Sequence, residues 1–186
     1  YEELEYLVNS KNIGVVKMEV IRNYEPKNDF LKKVRQLCSK KGIVLIFDEC
    51  TSGFRETFGG IHKKYNVDPD MAMYGKTLGN GYAITAVVGK RSVMDNAQKT
   101  FVSSTFWTER IGPTAAIKTL EEIEKQKSWK IITSLGEYMN KKWLELAENY
   151  SLNLNIFGLP ALTTFTFDSD DHFKYKTFMT QDMLDK

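Results

Sequence analysis

Two charged residues stand where the sequence predicts that strands end. Asp48 follows the continuous apolar run 43–47, and Lys76 follows the short apolar stretch 70–74, just before a glycine-rich turn. If the two strands run parallel, their carboxyl ends meet at one edge of a sheet, where the loops leave a crevice. A carboxylate and an amine in that crevice can bind opposite sides of one small ring.

This pair of side chains suits pyridoxal phosphate. A carboxylate keeps the pyridine nitrogen of that cofactor protonated, so that the ring withdraws electrons from the substrate carbon. An amine can form an imine with the cofactor aldehyde and can then move protons as a base and an acid. Gly75, Gly79 and Gly81 allow the backbone to turn tightly and to approach the ring closely.

Simpler interpretations apply to each residue alone. An apolar strand that ends in Asp-Glu is common, and a lone lysine is usually an exposed turn residue. The Gly75-Lys76-Thr77 sequence also resembles the end of a phosphate-binding P-loop, but that motif requires a glycine where this chain has Asp70. The P-loop interpretation therefore fails.

The histidines and cysteines predict no separate reactive centre. His62 and His172 are isolated and lack metal-ligand spacing, so we predict no metal site and favour surface or packing roles. Cys50 has no histidine placed to activate it and is interpreted as a small packing residue. Two cysteines, Cys38 and Cys50, are too few for a disulfide framework and suit a reducing cytoplasm.

The composition disfavours two classes of binding partner, nucleic acids and membranes. The chain has 26 Lys and Arg against 24 Asp and Glu, and the basic residues are scattered, which disfavours a nucleic-acid surface. No apolar run reaches membrane-spanning length, so no membrane partner is expected. The chain begins without methionine in a helical pattern and stops in another, so we expect a fragment of a longer protein.

Strand and helix patterns alternate along the chain, which predicts an α/β fold with a mostly parallel sheet flanked by helices. Asp29 is the predicted N-cap of a helix that Gly42 terminates. After about Lys127 the pattern changes to a helix followed by a hairpin, so we predict one domain over 1–127 and a second α+β domain over 128–186. The predicted strands are 13–21, 43–47, 70–74, 83–88, 152–157 and 161–167, and the predicted helices are 29–41, 61–65, 114–125 and 129–149.

The chain resembles the class III pyridoxal phosphate-dependent aminotransferases, most closely the branch similar to glutamate-1-semialdehyde aminomutase. The resemblance covers residues 13–167, whereas a chain of that family is much longer. It implies that this sequence is the second part of a fold type I large domain, followed by the start of a small domain. The matching stretches, in the family's order and spacing, are 45–49, 52–55, 69–70, 75–76, 79–81, 103–105 and 120–123.

The resemblance implies roles for five residues. Lys76 matches the Schiff-base lysine, and Asp48 matches the residue paired with the pyridine nitrogen. Thr105 matches the threonine that reaches the cofactor phosphate from the neighbouring subunit of a homodimer. Glu19 matches a glutamate beside the site, with a supporting or substrate-binding role. Thr51 stands where many relatives carry a glutamine near the cofactor hydroxyl, which implies a supporting or substrate-binding role.

The resemblance implies an aminotransferase that acts on a small-molecule amino donor and a keto or aldehyde acceptor. An intramolecular aminomutase is the alternative, and a non-catalytic binding protein that keeps the fold is less favoured because both Asp48 and Lys76 are retained. The phosphate-binding turn and the aromatic residue that stacks on the ring are expected before Tyr1, and the rest of the small domain after Lys186. We therefore expect the fragment alone to contain only part of the active site.

Overall fold

The structure, a computed structural model, describes residues 1–103 and 105–186. The chain divides into two compact units, Tyr1–Lys130 and Ile131–Lys186. None of the helices in these described ranges is long and apolar enough to cross a bilayer.

A four-stranded sheet forms the centre of the first unit. Its strands are β1 (Val15–Met18), β2 (Val44–Asp48), β3 (Met71–Tyr74) and β4 (Ala86–Gly89), in the order β1-β2-β3-β4. The first three strands are parallel and β4 pairs antiparallel with β3. The predicted mixed, mostly parallel sheet is therefore confirmed, and each predicted strand of this unit lies within a few residues of the observed one.

Helices connect and cover these strands. Helix α2 (Phe30–Lys41) joins β1 to β2 and buries Leu31, Val34, Leu37 and Cys38 on one face. Gly42 ends α2 in the left-handed conformation, as predicted (φ 67°). Asp29 precedes α2, but its side chain forms an ion pair with Lys32 at 3.0 Å and no capping hydrogen bond. The helices are α1 (Glu2–Ser10), α2 (Phe30–Lys41), α3 (Arg91–Met94), α4 (Ile111–Gln126), α5 (Ser128–Asn149, which continues into the second unit) and α6 (His172–Leu184).

Two groups of buried residues hold the first unit together. Leu45 and Phe47 are fully buried along β2, where they alternate with half-buried residues. A second cluster consists of Phe54, Leu78, Ala116 and Ile123, from the loop after β2, the turn after β3 and α4. Burying a leucine such as Leu78 contributes about 2 kcal/mol. The turn that begins at Lys76 is thus tied to the core through Leu78.

The second unit is a helix followed by a hairpin, as predicted. Strands β5 (Leu154–Phe157) and β6 (Thr164–Phe167) pair antiparallel, and α6 follows them. The Trp143 ring of α5 contacts the Phe165 ring of β6, with centroids 4.9 Å apart. The assignment of residues 128–186 to a small domain of a larger enzyme stays a prediction.

Candidate active site

Asp48 and Lys76 lie at the same edge of the sheet. Asp48 is the last residue of β2, and Lys76 follows β3 after a single glycine. The parallel register places Asp48 opposite Met73, so both strands end at one level. Both side chains therefore start from the sheet edge at which the sequence predicted a crevice.

Lys76 occupies a tightly held turn. Its φ of 40° lies in the left-handed region, which a residue with a Cβ adopts only at a cost. Two backbone hydrogen bonds hold the turn, from the Leu78 N–H to the Gly75 carbonyl at 2.9 Å and from the Asn80 N–H to the Lys76 carbonyl at 3.1 Å. The strain is thus balanced by local hydrogen bonds and by the buried side chain of Leu78.

The Lys76 amine reaches across to the loop that follows β2. Its Nζ atom donates to Thr51 Oγ1 at 2.9 Å. Thr51 is itself placed by a folded loop, since its carbonyl accepts from Arg55 Nε at 2.7 Å and the Gly53 N–H bonds to the Glu49 carbonyl at 2.8 Å. Thr51, which stands where many relatives carry a glutamine, therefore contacts Lys76 directly.

Asp48 is paired with Lys17, for which no role was predicted. Its Oδ2 atom lies 2.9 Å from Lys17 Nζ, and its Oδ1 atom accepts the Cys50 N–H at 3.1 Å. The hydrogen bond from the Lys17 ammonium, with help from the Cys50 N–H, holds the pKa of Asp48 below its usual value. Lys17 could have been found from the sequence, because it and Glu19 are the two charged residues of the predicted strand 13–21.

Glu19 follows β1, and one of its oxygens has no donor among the described residues. Its Oε1 atom accepts from Arg22 Nη1 at 3.2 Å. Its Oε2 atom is buried and makes no hydrogen bond to the residues that the structure describes. Buried acceptors normally have a partner, so this carboxylate can accept one more hydrogen bond.

A buried carboxylate supports the loop below Asp48. Glu49 is fully buried, and its Oε1 atom lies 3.1 Å from the His62 N–H and 2.9 Å from His62 Nδ1, while Ser52 Oγ donates to Oε2. Burial alone would raise the pKa of Glu49, but the hydrogen bonds from His62 and Ser52 lower it below its usual value. Because a carboxylate only accepts, Nδ1 carries the proton. Of the surface and packing roles that the sequence left open for His62, burial supports packing, and the role of Glu49 was missed.

Thr105 and Cys50 are the remaining residues that the sequence singled out. Thr105 is exposed in the turn over residues 105–108, and Ser104 of the same motif lies outside the described residues. The role of Thr105 at the cofactor phosphate therefore stays a prediction. Burial, and then the hydrogen bond with Asp48, raises the pKa of Cys50, in agreement with a packing thiol. No group of three metal-ligating side chains occurs among the described residues.

The donor set fits both ends of a pyridoxal phosphate ring. The Asp48 carboxylate, ionised at neutral pH, can accept from a protonated ring nitrogen, and the Lys76 amine can hold an aldehyde. A mixed sheet with these groups at its carboxyl edge is the architecture of the fold type I class of α/β enzymes.

Comparisons with known proteins agree with this class. The family model "Aminotransferase class-III" matches residues 22–185, so the chain belongs to that family. It is 38% identical over 157 residues to 3-aminobutyryl-CoA aminotransferase of Cloacimonas acidaminovorans, covering 84% of this chain and 38% of that protein. It is 30% identical over 160 residues to glutamate-1-semialdehyde 2,1-aminomutase of Methanosphaera stadtmanae, with 84% of this chain and 38% of that protein covered.

Solved structures share the fold. The FumI protein of Sphingopyxis sp. MTA144, solved in its PLP internal aldimine form, has a TM-score of 0.82 at 24% identity over 91% of this chain and 42% of its own. Ornithine aminotransferase of Plasmodium yoelii has a TM-score of 0.77 at 22% identity, over 90% of this chain and 46% of its own. The chain thus spans less than half the length of each of these four proteins.

Proposed function

We propose that this chain carries part of the active site of a pyridoxal phosphate-dependent aminotransferase, which moves an amino group from a small-molecule donor to a keto or aldehyde acceptor. The observation that carries the proposal is the placement of the Asp48 carboxylate and the Lys76 amine at one sheet edge, set by the register of β2 against β3. Membership in the class III family and the aminotransferase relative support it.

Each residue has a defined task in this proposal. When bound, pyridoxal phosphate supplies an electron sink for a carbanion at the carbon that bears the amino group. Asp48 would hold the ring nitrogen and Lys76 the aldehyde, while Thr105 of a second subunit would bind the phosphate. Lys76 Nζ would move a proton as base and acid, and Thr51 Oγ1, at 2.9 Å, positions that nitrogen. The open Oε2 atom of Glu19 can accept from a substrate or a supporting group.

An intramolecular aminomutase is the second candidate. The relative named glutamate-1-semialdehyde 2,1-aminomutase favours it. That match, at 30% identity, is about as long as the match to the aminotransferase. The 38% identity to a 3-aminobutyryl-CoA aminotransferase favours transfer between two molecules. Incubation with an amino donor, with and without a keto acid, separates the two: transfer consumes the keto acid, whereas a mutase converts its substrate without one. Amines carried on an acyl-CoA belong in the donor panel.

We also propose the domain, the oligomeric state and the cellular compartment to which this site belongs. Residues 1–127 would belong to the large cofactor-binding domain and 128–186 to the start of the small domain; the division of the chain after Lys130 supports this. The exposed Phe106 and Trp107 beside Thr105 support a homodimer with shared active sites. The unpaired Cys38 and Cys50 support a cytoplasmic location.

The visible absorption spectrum tests the proposed function. Full-length protein mixed with pyridoxal phosphate should show an absorption band of a bound imine that borohydride bleaches. The Lys76→Ala variant should lack the band, because its side chain has no amine. Lys99→Ala, which removes an exposed lysine outside the site, is the matched control and should keep it. Full-length protein without any such band would refute the proposal.

A further inference from the structure

The Asp48 carboxylate already has a cationic partner, Lys17. In β1, Lys17 pairs in register with Ile46 of β2, and Asp48 lies two residues further along β2 on the same face. A lysine side chain spans that diagonal, and Lys17 Nζ lies 2.9 Å from Asp48 Oδ2. We propose that Lys17 is a positioning residue that competes with the ring nitrogen of the cofactor for the Asp48 carboxylate. This inference rests on the proposed function.

The hydrogen bonds of Asp48 explain why the two cations compete. Oδ1 accepts the Cys50 N–H at 3.1 Å, and Oδ2 is in contact with Lys17, so each oxygen already has a donor. A protonated ring nitrogen must therefore share an oxygen with one of these donors. Two positive charges on one carboxylate repel each other, and the repulsion falls when Lys17 moves away.

The exposure of Lys17 makes it an exchangeable partner. Its side chain is 51% exposed, whereas that of Asp48 is 22% exposed. The ammonium can therefore return to water at little cost, since half-exposed ion pairs contribute little to stability. The ion pair of Arg35 with Asp70 differs, because those side chains are only 18% and 13% exposed. Lys17 thus gives Asp48 a partner before the ring nitrogen arrives and withdraws afterwards.

The directions in which the pKa values of Lys17 and Asp48 shift agree with this ion pair. The hydrogen bond to Asp48, followed by its negative charge, raises the pKa of Lys17, with smaller contributions from Cys50 and Glu19. The same contact lowers the pKa of Asp48. Both groups are therefore charged at neutral pH, and the carboxylate is ready to accept from a protonated ring nitrogen.

A cofactor analogue that lacks the ring nitrogen tests the competition between Lys17 and that nitrogen for Asp48. We would measure dissociation constants of pyridoxal phosphate and of 1-deaza-pyridoxal phosphate, in which carbon replaces the ring nitrogen, for the full-length apoprotein by fluorescence quenching. Both molecules carry the same aldehyde and phosphate, so only the contact with Asp48 differs. In Lys17→Met the dissociation constant of pyridoxal phosphate should fall about tenfold, because the competing charge is gone. The constant of the deaza analogue should stay unchanged.

Three variants complete the test. Lys17→Gln, a second substitution that removes the charge, should reproduce Lys17→Met, and it decides the outcome if the methionine variant does not fold. Lys17→Arg keeps the charge and should keep the wild-type ratio of the two constants. Lys11→Met, at an exposed lysine, should change neither constant. An equal ratio in wild type and both charge-removing variants would overturn the role of Lys17, whereas a wild-type protein that fails to bind pyridoxal phosphate would overturn the proposed function as well.

Discussion

The amine of Lys76 is held by the hydroxyl of Thr51. Lys76 Nζ donates to Thr51 Oγ1 at 2.9 Å, and the two residues come from the loops after β3 and β2. The bond therefore joins the loops that follow two neighbouring parallel strands. It fixes the direction of the amine even though the Lys76 side chain is exposed, since a flexible side chain without a partner would sample many rotamers.

Removing this hydroxyl should weaken cofactor capture. In Thr51→Val the amine loses a hydrogen bond that contributes about 1 kcal/mol, so we expect the apparent affinity for pyridoxal phosphate to fall about fivefold. Thr51→Ser keeps the hydroxyl and should stay near wild type. The measurement is titration of the visible imine band in the full-length protein. Equal affinities for the valine and serine variants would show that the hydroxyl does not position Lys76.

Glu49 should be a major determinant of stability. Its oxygens accept from the backbone and ring of His62 and from Ser52, so Glu49→Gln turns an amide donor toward existing donors. We expect a loss of about 3 kcal/mol in the free energy of unfolding, as for other broken buried charge networks. Urea unfolding of the full-length protein measures this loss. Glu124→Gln, at an exposed glutamate, is the matched control and should change it little.

The contribution of Glu49 should depend on pH with a defined sign. Its pKa is lowered in the folded protein, so its stabilisation is present above the unfolded pKa and is lost as the pH falls through the lower, folded pKa. The difference in unfolding free energy between wild type and Glu49→Gln should therefore shrink toward acid. A difference that grows toward acid would contradict the ionised, hydrogen-bonded Glu49.

The sequence predicted most of the fold because its hydrophobic pattern is consistent over long segments. Helix α2 was predicted to end at Gly42, and it does. Gly42 adopts the left-handed backbone conformation that terminates the helix. Asp48 and Lys76 were placed at one sheet edge because parallel strands share their carboxyl ends. The side chain of Asp29 could not be predicted as easily, because the pairing with Lys32 competes with capping.

The supporting contacts of the site were harder to predict than its chemistry. Lys17 meets Asp48 only because β1 and β2 pair in one register, and a sequence does not state that register. His62 reaches Glu49 because the loop between β2 and β3 folds back, which no periodicity encodes. Contacts between distant loops are therefore the part that required the structure.

Asp70 should stabilise the first unit over a defined pH range. It accepts the Leu45 N–H at 2.9 Å and contacts Arg35 and Lys90 at 2.8 Å each, so it joins α2, β2 and the end of β4. Burial opposes ionisation, but these partners outweigh it and lower the pKa of Asp70 to about 2. Relative to an unfolded value of about 4, this shift corresponds to about 3 kcal/mol of stability.

The Asp70→Asn variant tests this value. Its free energy of unfolding should be about 3 kcal/mol below wild type at pH 7. The deficit should be full above the unfolded pKa and should vanish as the pH falls through the folded value of about 2. Asp68→Asn, at the exposed aspartate two residues earlier, is the matched control. A deficit that persists unchanged at the lowest pH would contradict the ionised network.

Gly79 should be required for the turn that presents Lys76. A Cβ atom at Gly79 would lie 2.1 Å from the Tyr82 carbonyl oxygen and 2.9 Å from an Ile84 methyl group, so the backbone after Lys76 must shift to admit it. We expect Gly79→Ala to lower the unfolding free energy by about 2 kcal/mol and to slow borohydride-trapped labelling of Lys76 by pyridoxal phosphate. Gly14→Ala is the matched control, since a Cβ there meets nothing within 4 Å. Wild-type labelling rates in Gly79→Ala would show that the turn adapts without displacing the amine.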